Sequence, residues 1–352
     1  MTDIGKHKSR LPEKSADPVR LSEFELIEHF FAPLAGEGGF GLQDDIAALP
    51  PLSDSDEERI VSTDALIADV HFFAGDAPSS IARKALAVNV SDLVAKGAQP
   101  EGFFLSLALP DSCSSLWLKE FVKGLRQGIS DWKCPLFGGD TVYSPRTLMI
   151  SVTAFGKLPR GKIPKRSDAK SGDNIFVTGT IGDSFLGLNL IKAEKSDSNH
   201  LLWSYSLSRS EKKYLKDRYY HPAPRMALIP VIQSFAHASM DISDGLVGDF
   251  LKMAKASGLG AKLDIELNIL SPAARSAVIA DYTLFDALIR GGDDYEILFT
   301  VSQDNTWKCR QTARELGISL THIGIMQSCE DAVEIRHNGH LLTLQHASFQ
   351  HF

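Results

Sequence analysis

Features that would point directly to a common function are scarce in this chain of 352 residues. Its four cysteines form no Cys-x-x-Cys pair, which excludes a zinc ribbon and a thioredoxin-type redox pair and favours reduced, neutral thiols. Basic residues are outnumbered, with 37 Lys and Arg against 44 Asp and Glu. The resulting net charge of −7 argues against a general nucleic-acid-binding protein.

Long apolar runs are also missing. The most apolar stretch, residues 103–109, is far shorter than the roughly 20 residues that a membrane helix needs. Residues 1–20 are basic and polar and lack the apolar core of a secretory signal, so we predict a flexible tail there. These absences lead us to expect a soluble, cytoplasmic protein that binds neither membranes nor nucleic acid.

What is present is an ordinary globular composition, 43% hydrophobic and 23% charged. The length suits roughly two domains, and alternating helical and strand-like segments predict an α/β or α+β fold. A stretch rich in Lys, Arg, Pro and Gly over residues 157–172 is the candidate boundary. It places an N-terminal domain at 21–157 and a C-terminal domain at 158–352.

The hydrophobic periodicity gives a coarse order of elements. It predicts helices over residues 79–97, 113–131, 182–193, 222–236 and 244–257, with a loop or weak helix over 194–212. It predicts strands over residues 59–66, 101–110, 146–156, 174–179, 239–243, 261–267 and 294–301. Gly97 is expected to end the first of these helices.

The glycine-rich segment GEGGFG at residues 36–41 matches the dinucleotide fingerprint G-x-G-x-x-G. That fingerprint must follow a strand and open a helix, whereas here a helical pattern precedes it and two aspartates follow. The chain also lacks a GxxxxGK[ST] loop and the HRD and DFG motifs of protein kinases. We therefore predict a tight loop that leads into Asp44 and Asp45.

Six short motifs share an Asp beside Gly, Ser or Thr near the end of a segment. They are DDIAAL (44–49), STDALIADVHF (62–72), NVSDL (89–93), GGDT (138–141), DISDG (241–245) and GGDDYE (291–296). Turn and cap chemistry explains each motif alone. Together they offer the carboxylate and hydroxyl oxygens that magnesium prefers, and magnesium bridges acidic proteins to phosphate ligands.

The predicted helix 79–97 has polar residues on one side of an otherwise apolar surface. Asn89, Asp92 and Lys96 follow helical spacing, and Lys84 lies eight residues before Asp92. Two interpretations are open, a solvated face or an Asp that points into a site between elements, because Lys and Asp are seldom buried without partners.

Two further segments have both a structural and a functional interpretation. GGDT would let the backbone approach a ligand, with Asp140 as a metal ligand and Thr141 as a donor. Gly179 and Gly182 surround a strand-to-helix turn that is either plain or a phosphate site at a helix N-terminus. A lone His such as His71 is more often structural than catalytic, and no nucleophile triad is evident.

Taken in order, DDIAAL, STD…HF, KALAVNVSDLVAKGA, FGGDT, VTGTIGDS, DISDGL and GGDDYEILFT resemble the thiamine-monophosphate kinase family. The resemblance runs from about residue 22 to the C-terminus. It implies the two-domain fold of the aminoimidazole ribonucleotide synthetase-like superfamily, with N-terminal strands paired across a homodimer barrel. It further implies ATP- and Mg²⁺-dependent phosphorylation of thiamine monophosphate to thiamine diphosphate by direct in-line transfer.

Matching positions in that family imply roles for individual residues. Implied magnesium ligands are Asp45, Ser62, Thr63, Asp64, Asp92, Asp140, Asp241 and Asp244. Implied nucleotide contacts are Gly139, Asp140, Arg166 and Ser243, and implied substrate contacts are His71, Asp293 and Phe349. Asp92, Asp140 and Arg166 are expected to matter most for catalysis. Two departures affect fine contacts, Gln43 where the family has Gly and Asp293 where it has Glu.

Three alternatives remain at this level. A sister ATP-dependent ligase of the aminoimidazole ribonucleotide synthetase type would share the nucleotide site, since fold does not fix function. A selenophosphate synthetase is disfavoured because no Cys lies upstream of Cys113. A thiamine-phosphate-binding module without turnover would not need so many metal ligands.

Overall fold

The structure is a computed structural model that describes residues 25, 27–28, 32–35, 37–49, 56–196, 201–328 and 333–342. The predicted tail at 1–20 and the predicted substrate contact Phe349 lie outside the described residues. The helices are α1 (Pro78–Ala95), α2 (Ser115–Trp132), α3 (Asp183–Lys195), α4 (Arg209–Tyr220), α5 (Ile229–Phe235), α6 (Leu246–Ser257), α7 (Pro272–Ala280), α8 (Leu284–Arg290) and α9 (Thr306–Glu315).

The strands form two sheets. They are β1 (Ala47–Ala48), β2 (Glu57–Ile67), β3 (Gln99–Leu109), β4 (Leu136–Tyr143), β5 (Met149–Pro159), β6 (Asn174–Thr178), β7 (Ala236–Asp241), β8 (Gly260–Asp264), β9 (Ile297–Val301), β10 (Leu320–Gln327), β11 (Val333–His337) and β12 (His340–Leu341). The first sheet has the order β1-β2-β5-β3-β4 and the second β12-β11-β8-β10-β6-β9-β7. The two-domain mixed fold expected from the sequence is confirmed.

The first sheet buries one face because β5 alternates apolar and small polar residues. Ile150, Val152 and Ala154 are fully buried against the helical layer of α1 and α2. Strand β5 pairs antiparallel with β2 and with β3, whereas β3 and β4 run parallel. The GGDT motif lies inside β4, an exposed edge strand.

The opposite face of the first sheet has no cover within the described residues. Phe104 and Phe137 are 44% and 54% exposed and contact Phe155 in tilted and edge-to-face arrangements. Exposed aromatic faces of this kind are typical of interaction surfaces.

The second sheet is covered by α3, α4 and α6 to α8, which share one apolar core with its strands. The segment 194–212, predicted as a loop or weak helix, contains only the start of α4, which begins with a capping box between Ser208 and Glu211 and continues to Tyr220. The predicted helix 222–236 is reduced to α5, because Pro222 and Pro224 stand where a continuous helix would need backbone donors.

Helix α1 connects the two halves of the molecule. It packs on β2, β3 and β5 of the first sheet and on β7, α4 and α5 of the second half. Its Lys84, Asn89, Asp92 and Lys96 are all buried, so the polar side of this helix is not a solvated face. The expected stop holds, since Gly97 has a φ of 71°.

Smaller expectations can be checked in the same way. Residues 37–42 form 3-10 turns with Phe40 and Gly41 in left-handed conformation, so GEGGFG is a loop and not a dinucleotide fingerprint. Cys113, Cys134 and Cys309 are unbonded, and burial raises the pKa of Cys134 and Cys309 to about 12. Across the described ranges, no helix is long and apolar enough to cross a membrane.

Candidate functional site

A cavity of about 180 Å³ lies between the two halves of the molecule. It is lined by Asp45, Asp64, Ala65, Leu66, His71, Lys84, Val88, Asp92, Asp241, Ser243, Asp293 and Tyr295. These residues come from the segment before β1, from β2 and the turn after it, and from α1 on one side, and from the end of β7 and the segments after β7 and before β9 on the other. Five of the six acidic motifs therefore meet here; GGDT does not.

Three carboxylates from separate segments converge at one end of the cavity. Asp45 precedes β1, Asp92 lies on α1 and Asp241 ends β7, and their nearest oxygens all lie within 4.8 Å of one another. Asp64 enters the same cavity from β2, where its backbone N–H donates to Asn89 Oδ1 at 3.0 Å. The Ser62 hydroxyl donates to Asp92 Oδ2 and fixes that carboxylate.

Burial of several carboxylates close together raises the pKa of Asp64, Asp92 and Asp241. Desolvation raises the pKa of Asp92 well above its usual range, and repulsion from Asp241 and Asp64 adds to it. Desolvation also raises the pKa of Asp241 to about 7, with further repulsion from Asp249 and Asp64. The pKa of Asp64 is raised by the same loss of hydration, although part of its side chain reaches solvent.

Two basic side chains next to the cluster, Lys96 and Arg166, form ion pairs with Asp44 and Asp45. Lys96 Nζ lies 2.9 Å from Asp44 Oδ1 and 3.9 Å from Asp45 Oδ2. The Arg166 guanidinium binds the Asp45 carboxylate through Nε, at 3.0 Å, and through Nη2. The backbone N–H of Arg166 donates to Asp44 Oδ2. Lys96 also donates to the Ser239 carbonyl. These contacts tie the Asp44–Asp45 loop to both halves of the molecule.

This arrangement fits a divalent cation. Three carboxylates held this close in a buried place are costly unless a positive charge compensates them. Oxygen ligands with a water-accessible side are the kind that magnesium uses together with substrate phosphates. Asp45, Asp92 and Asp241 are the residues that would hold such an ion, with Asp64 beside them.

The other end of the cavity contains a lysine and a histidine. Lys84 Nζ lies 2.7 Å from Asp293 Oδ2. His71 Nδ1 accepts from the Ile67 N–H at 3.0 Å, so the neutral ring has its proton on Nε2. The Asp293 loop is fixed against DISDG, because its N–H donates to the Ser243 carbonyl at 2.8 Å.

Asp293 and Tyr295 have φ values of 73° and 50°, a conformation that non-glycine residues rarely adopt. Gly292 allows the close approach of this loop, since a Cβ there would lie 2.2 Å from the Ser243 carbonyl oxygen. Such strain in a loop that lines a cavity is typical of functional sites.

Not every predicted site residue reaches the cavity. Thr63 lies on the opposite face of β2 and its hydroxyl is 2.9 Å from that of Thr153. Asp244 Oδ2 accepts from Lys252 at 2.6 Å. Gly139 and Asp140 are exposed on β4, three strands across the sheet from Asp64, which is about 14 Å at the usual strand spacing.

The strand-to-helix turn before α3 has its N-terminal donors occupied from within the chain. The Gly182 N–H donates to Asp294 Oδ2 at 2.7 Å, and Asp294 is buried. A second carboxylate, Glu296, lies where a Cβ on Gly179 would clash at 2.2 Å. Of the two interpretations left open by the sequence, the plain turn applies here.

The site residues predicted from the sequence did not include two residues with polar side chains that line the cavity, Lys84 and Tyr295. Lys84 had a signal, because Lys84, Val88 and Asp92 recur at helical spacing on one side of α1. Tyr295 belongs to the GGDDYE motif, but its left-handed backbone was not readable from residue types.

Comparisons with known proteins identify the family of this chain. Two family models match, the AIR synthase related protein N-terminal domain over residues 43–158 and its C-terminal domain over 170–335. The thiamine-monophosphate kinase of Caulobacter vibrioides is 35% identical over 308 residues, covering 86% of this chain and 83% of that protein. The Escherichia coli K12 enzyme of the same name is 34% identical over 337 residues, covering 95% and 99%.

Solved structures give the same result. AaThiL complexed with AMPPCP and TMP matches with a TM-score of 0.77 at 29% identity, covering 96% of this chain and 100% of that one. Thiamine-monophosphate kinase from Stenotrophomonas maltophilia K279a matches with a TM-score of 0.70 at 31% identity, covering 88% and 97%. With motif order, fold and whole-length relatives in agreement, this chain belongs to the thiamine-monophosphate kinase family.

Proposed function

We propose that this chain is a kinase that transfers the γ-phosphoryl group of ATP to thiamine monophosphate, with magnesium, to give thiamine diphosphate and ADP. The observation that supports this most directly is the meeting of Asp45, Asp92 and Asp241 from three distant motifs in one cavity. Relatives that cover nearly the whole chain have this activity in their names, and a structural relative binds AMPPCP and TMP.

The reaction asks little covalent chemistry of the protein. An oxygen of the acceptor phosphate bonds to the γ-phosphorus while the bond from that phosphorus to the β–γ bridging oxygen breaks. The acceptor phosphate is already anionic near neutral pH, so no strong general base is required. The protein must instead align two anions and exclude competing water.

The chain's own residues do this by holding charge in place. Ser62 orients Asp92, and Arg166 and Lys96 hold the Asp44–Asp45 loop. A magnesium ion bound by Asp45, Asp92 and Asp241 would neutralise phosphate oxygens that these carboxylates would otherwise repel. Asp64, Ser243 and His71 line the space left for the substrates.

The remaining assignments belong to the same proposal. A second copy of the chain would cover the exposed face with Phe104 and Phe137, making a homodimer. Gly139 and Asp140 would then act from edge strand β4, and Phe349 would contact substrate from outside the described residues. We propose a cytoplasmic location, where both substrates are available.

The test is direct formation of thiamine diphosphate, followed by mass, from ATP, magnesium and thiamine monophosphate. We expect Asp92→Asn to reduce kcat about 1,000-fold, because the cluster loses one of its charges where transition-state charge is balanced. The control is Asp304→Asn, an exposed residue before α9, which should keep wild-type turnover.

Three results would contradict the proposal. Near-wild-type turnover of Asp92→Asn at saturating magnesium would remove the cluster from the reaction. Ligand binding without product would favour a binding module, and turnover only with a ribonucleotide amide acceptor would favour a sister ligase.

A further inference from the structure

The described lining of the cavity has many more acidic than basic side chains. It includes the carboxylates Asp45, Asp64, Asp92, Asp241 and Asp293. Among the same lining residues, Lys84 is the one lysine or arginine. Two phosphate-bearing substrates must enter this space, so the position of that single ammonium group decides where a phosphate can be held without a metal.

Lys84 is held from two sides. Its side chain is 4% exposed, its Nζ lies 2.7 Å from Asp293 Oδ2 and it stands 4.0 Å from the centre of the Tyr219 ring. A lysine ammonium has three N–H donors. The carboxylate takes one and the ring face attracts a second, which leaves one for an anion in the cavity that Lys84 lines.

The lysine is well separated from the carboxylate cluster. Lys84 and Asp92 are both on α1, eight residues apart, which is about 12 Å along a helix axis. A cation held by Asp45, Asp92 and Asp241 would therefore lie at one end of the cavity, with Lys84 at the other. Phosphate groups lying between them would be neutralised from both directions.

We infer that Lys84 is a phosphate-binding residue of this site and that Asp293 positions it. The inference rests on the proposed function for the identity of the phosphate, which is either the acceptor phosphate of thiamine monophosphate or the γ-phosphate of ATP. Asp293 suits the positioning role because its loop is hydrogen-bonded to the Ser243 carbonyl. Its carboxylate already has a cation, so Asp293 acts on the substrate through Lys84.

The chain contains a matched control for this pair. Lys195 Nζ lies 3.1 Å from Asp76 Oδ1 and 3.7 Å from the centre of the Phe73 ring, the same combination of carboxylate and aromatic face. Its side chain is 42% exposed and it does not line the cavity. A Lys195→Met variant therefore removes a lysine of the same kind from outside the site.

The experiment is a calorimetric titration of the full chain with thiamine monophosphate, with thiamine and with AMPPCP, in magnesium. We expect Lys84→Met to weaken binding of one phosphate ligand by about 10- to 100-fold, the usual effect of losing a charged hydrogen bond. Thiamine affinity should stay within twofold, Lys84→Arg should recover part of the loss, and Lys195→Met should match wild type.

The titrations with thiamine monophosphate and with AMPPCP identify which phosphate Lys84 binds. Weaker thiamine monophosphate binding assigns Lys84 to the acceptor phosphate, and weaker AMPPCP binding assigns it to the γ-phosphate. If Lys84→Met binds both within twofold of wild type, or loses thiamine to the same extent, the inference is wrong. If Lys84→Met does not fold, Lys84→Arg and Lys84→Gln make the same comparison.

Asp293 needs a readout that a purely structural role would not change. Asp293→Asn should raise the KM of the substrate that Lys84 binds, with a smaller fall in kcat, and Asp293→Glu should restore it. Equal effects on both substrates would overturn the positioning role. Failure of the wild-type chain to form thiamine diphosphate would refute the proposed function alone, because the AMPPCP titration still reports on Lys84.

Discussion

Two buried acidic clusters in this protein have similar sequences around them and opposite surroundings. The cavity cluster is Asp45, Asp92 and Asp241; the turn cluster is Asp183, Asp294 and Glu296, behind the turn before α3. Both come from short segments rich in Gly, Asp, Ser or Thr. From the residues alone, the acidic motifs of the cavity cluster were candidate magnesium ligands, and the turn at Gly179 and Gly182 was a candidate phosphate site.

The turn cluster is satisfied by the protein itself. Glu296 lies 3.0 Å from Arg218 NH2 and accepts from Arg225 Nε at 2.7 Å and from the Thr178 hydroxyl at 2.7 Å. Asp183 accepts from the hydroxyl groups of Thr180, Tyr214 and Ser271. Every carboxylate there has donors, so the cluster holds the turn and offers nothing to a ligand.

The cavity cluster has fewer donors. Arg166 and Lys96 act on Asp45 and its neighbour Asp44, while Asp92 receives a hydroxyl donor from Ser62. Desolvation raises the pKa of Asp92 and Asp241, but it also raises the pKa of Asp294 in the turn cluster, so the hydrogen-bond partners and not the acidity distinguish the two clusters. The number of hydrogen-bond and ion-pair donors around the carboxylates, and not the acidic motif itself, therefore distinguishes a structural cluster from a site that needs a ligand.

The largest effect on stability should come from the turn cluster. Glu296→Gln keeps the shape but leaves Arg218 and Arg225 facing a neutral amide, and breaking a buried ion pair this way costs about 3–5 kcal/mol. Urea unfolding measures it, with the exposed Glu315→Gln on α9 as the control at under about 0.5 kcal/mol. A loss below about 1 kcal/mol would mean that the two clusters do not differ as described.

Magnesium should act on the cavity cluster alone. At a magnesium concentration about 100 times its Kd, a bound ion stabilises the folded state by about 2.7 kcal/mol. We expect this gain, seen as a higher urea midpoint, in wild type and in Glu296→Gln. Asp92→Asn should lose most of it. The same gain in Asp92→Asn would show that the ion binds elsewhere.

Local sequence patterns predicted part of this architecture well. The helical spacing of Asn89, Asp92 and Lys96 in an otherwise apolar segment predicted α1 and its polar side. Helix α4 was missed although Ser208 and Glu211 formed a readable capping box, because its exposed residues are mostly charged and hide the stripe of Leu215 and Tyr219.

Contacts between distant residues could not be predicted in this way. Asp294 fills the turn at Gly182 from 112 residues away, so the turn resembled a phosphate site until the fold was known. GGDT lies within β4 although glycine disfavours strands, so residue preference alone does not predict its place in the sheet. The convergence of Asp45, Asp92 and Asp241 was implied by family resemblance and not by any local pattern.

The smallest expected effect is the change in the free energy of unfolding caused by Asp241→Asn, and the sign of that change distinguishes the two clusters. Asp241→Asn removes one buried charge on which desolvation and repulsion from Asp249 and Asp64 outweigh the attraction of Arg166, so in EDTA at a pH above about 7 it should raise the free energy of unfolding by about 1 kcal/mol. Adding magnesium should reverse the order, because wild type gains an ion that the variant binds poorly. A variant that is less stable than wild type in EDTA would show that Asp241 supports the fold, as Glu296 does, and would remove the distinction between the clusters.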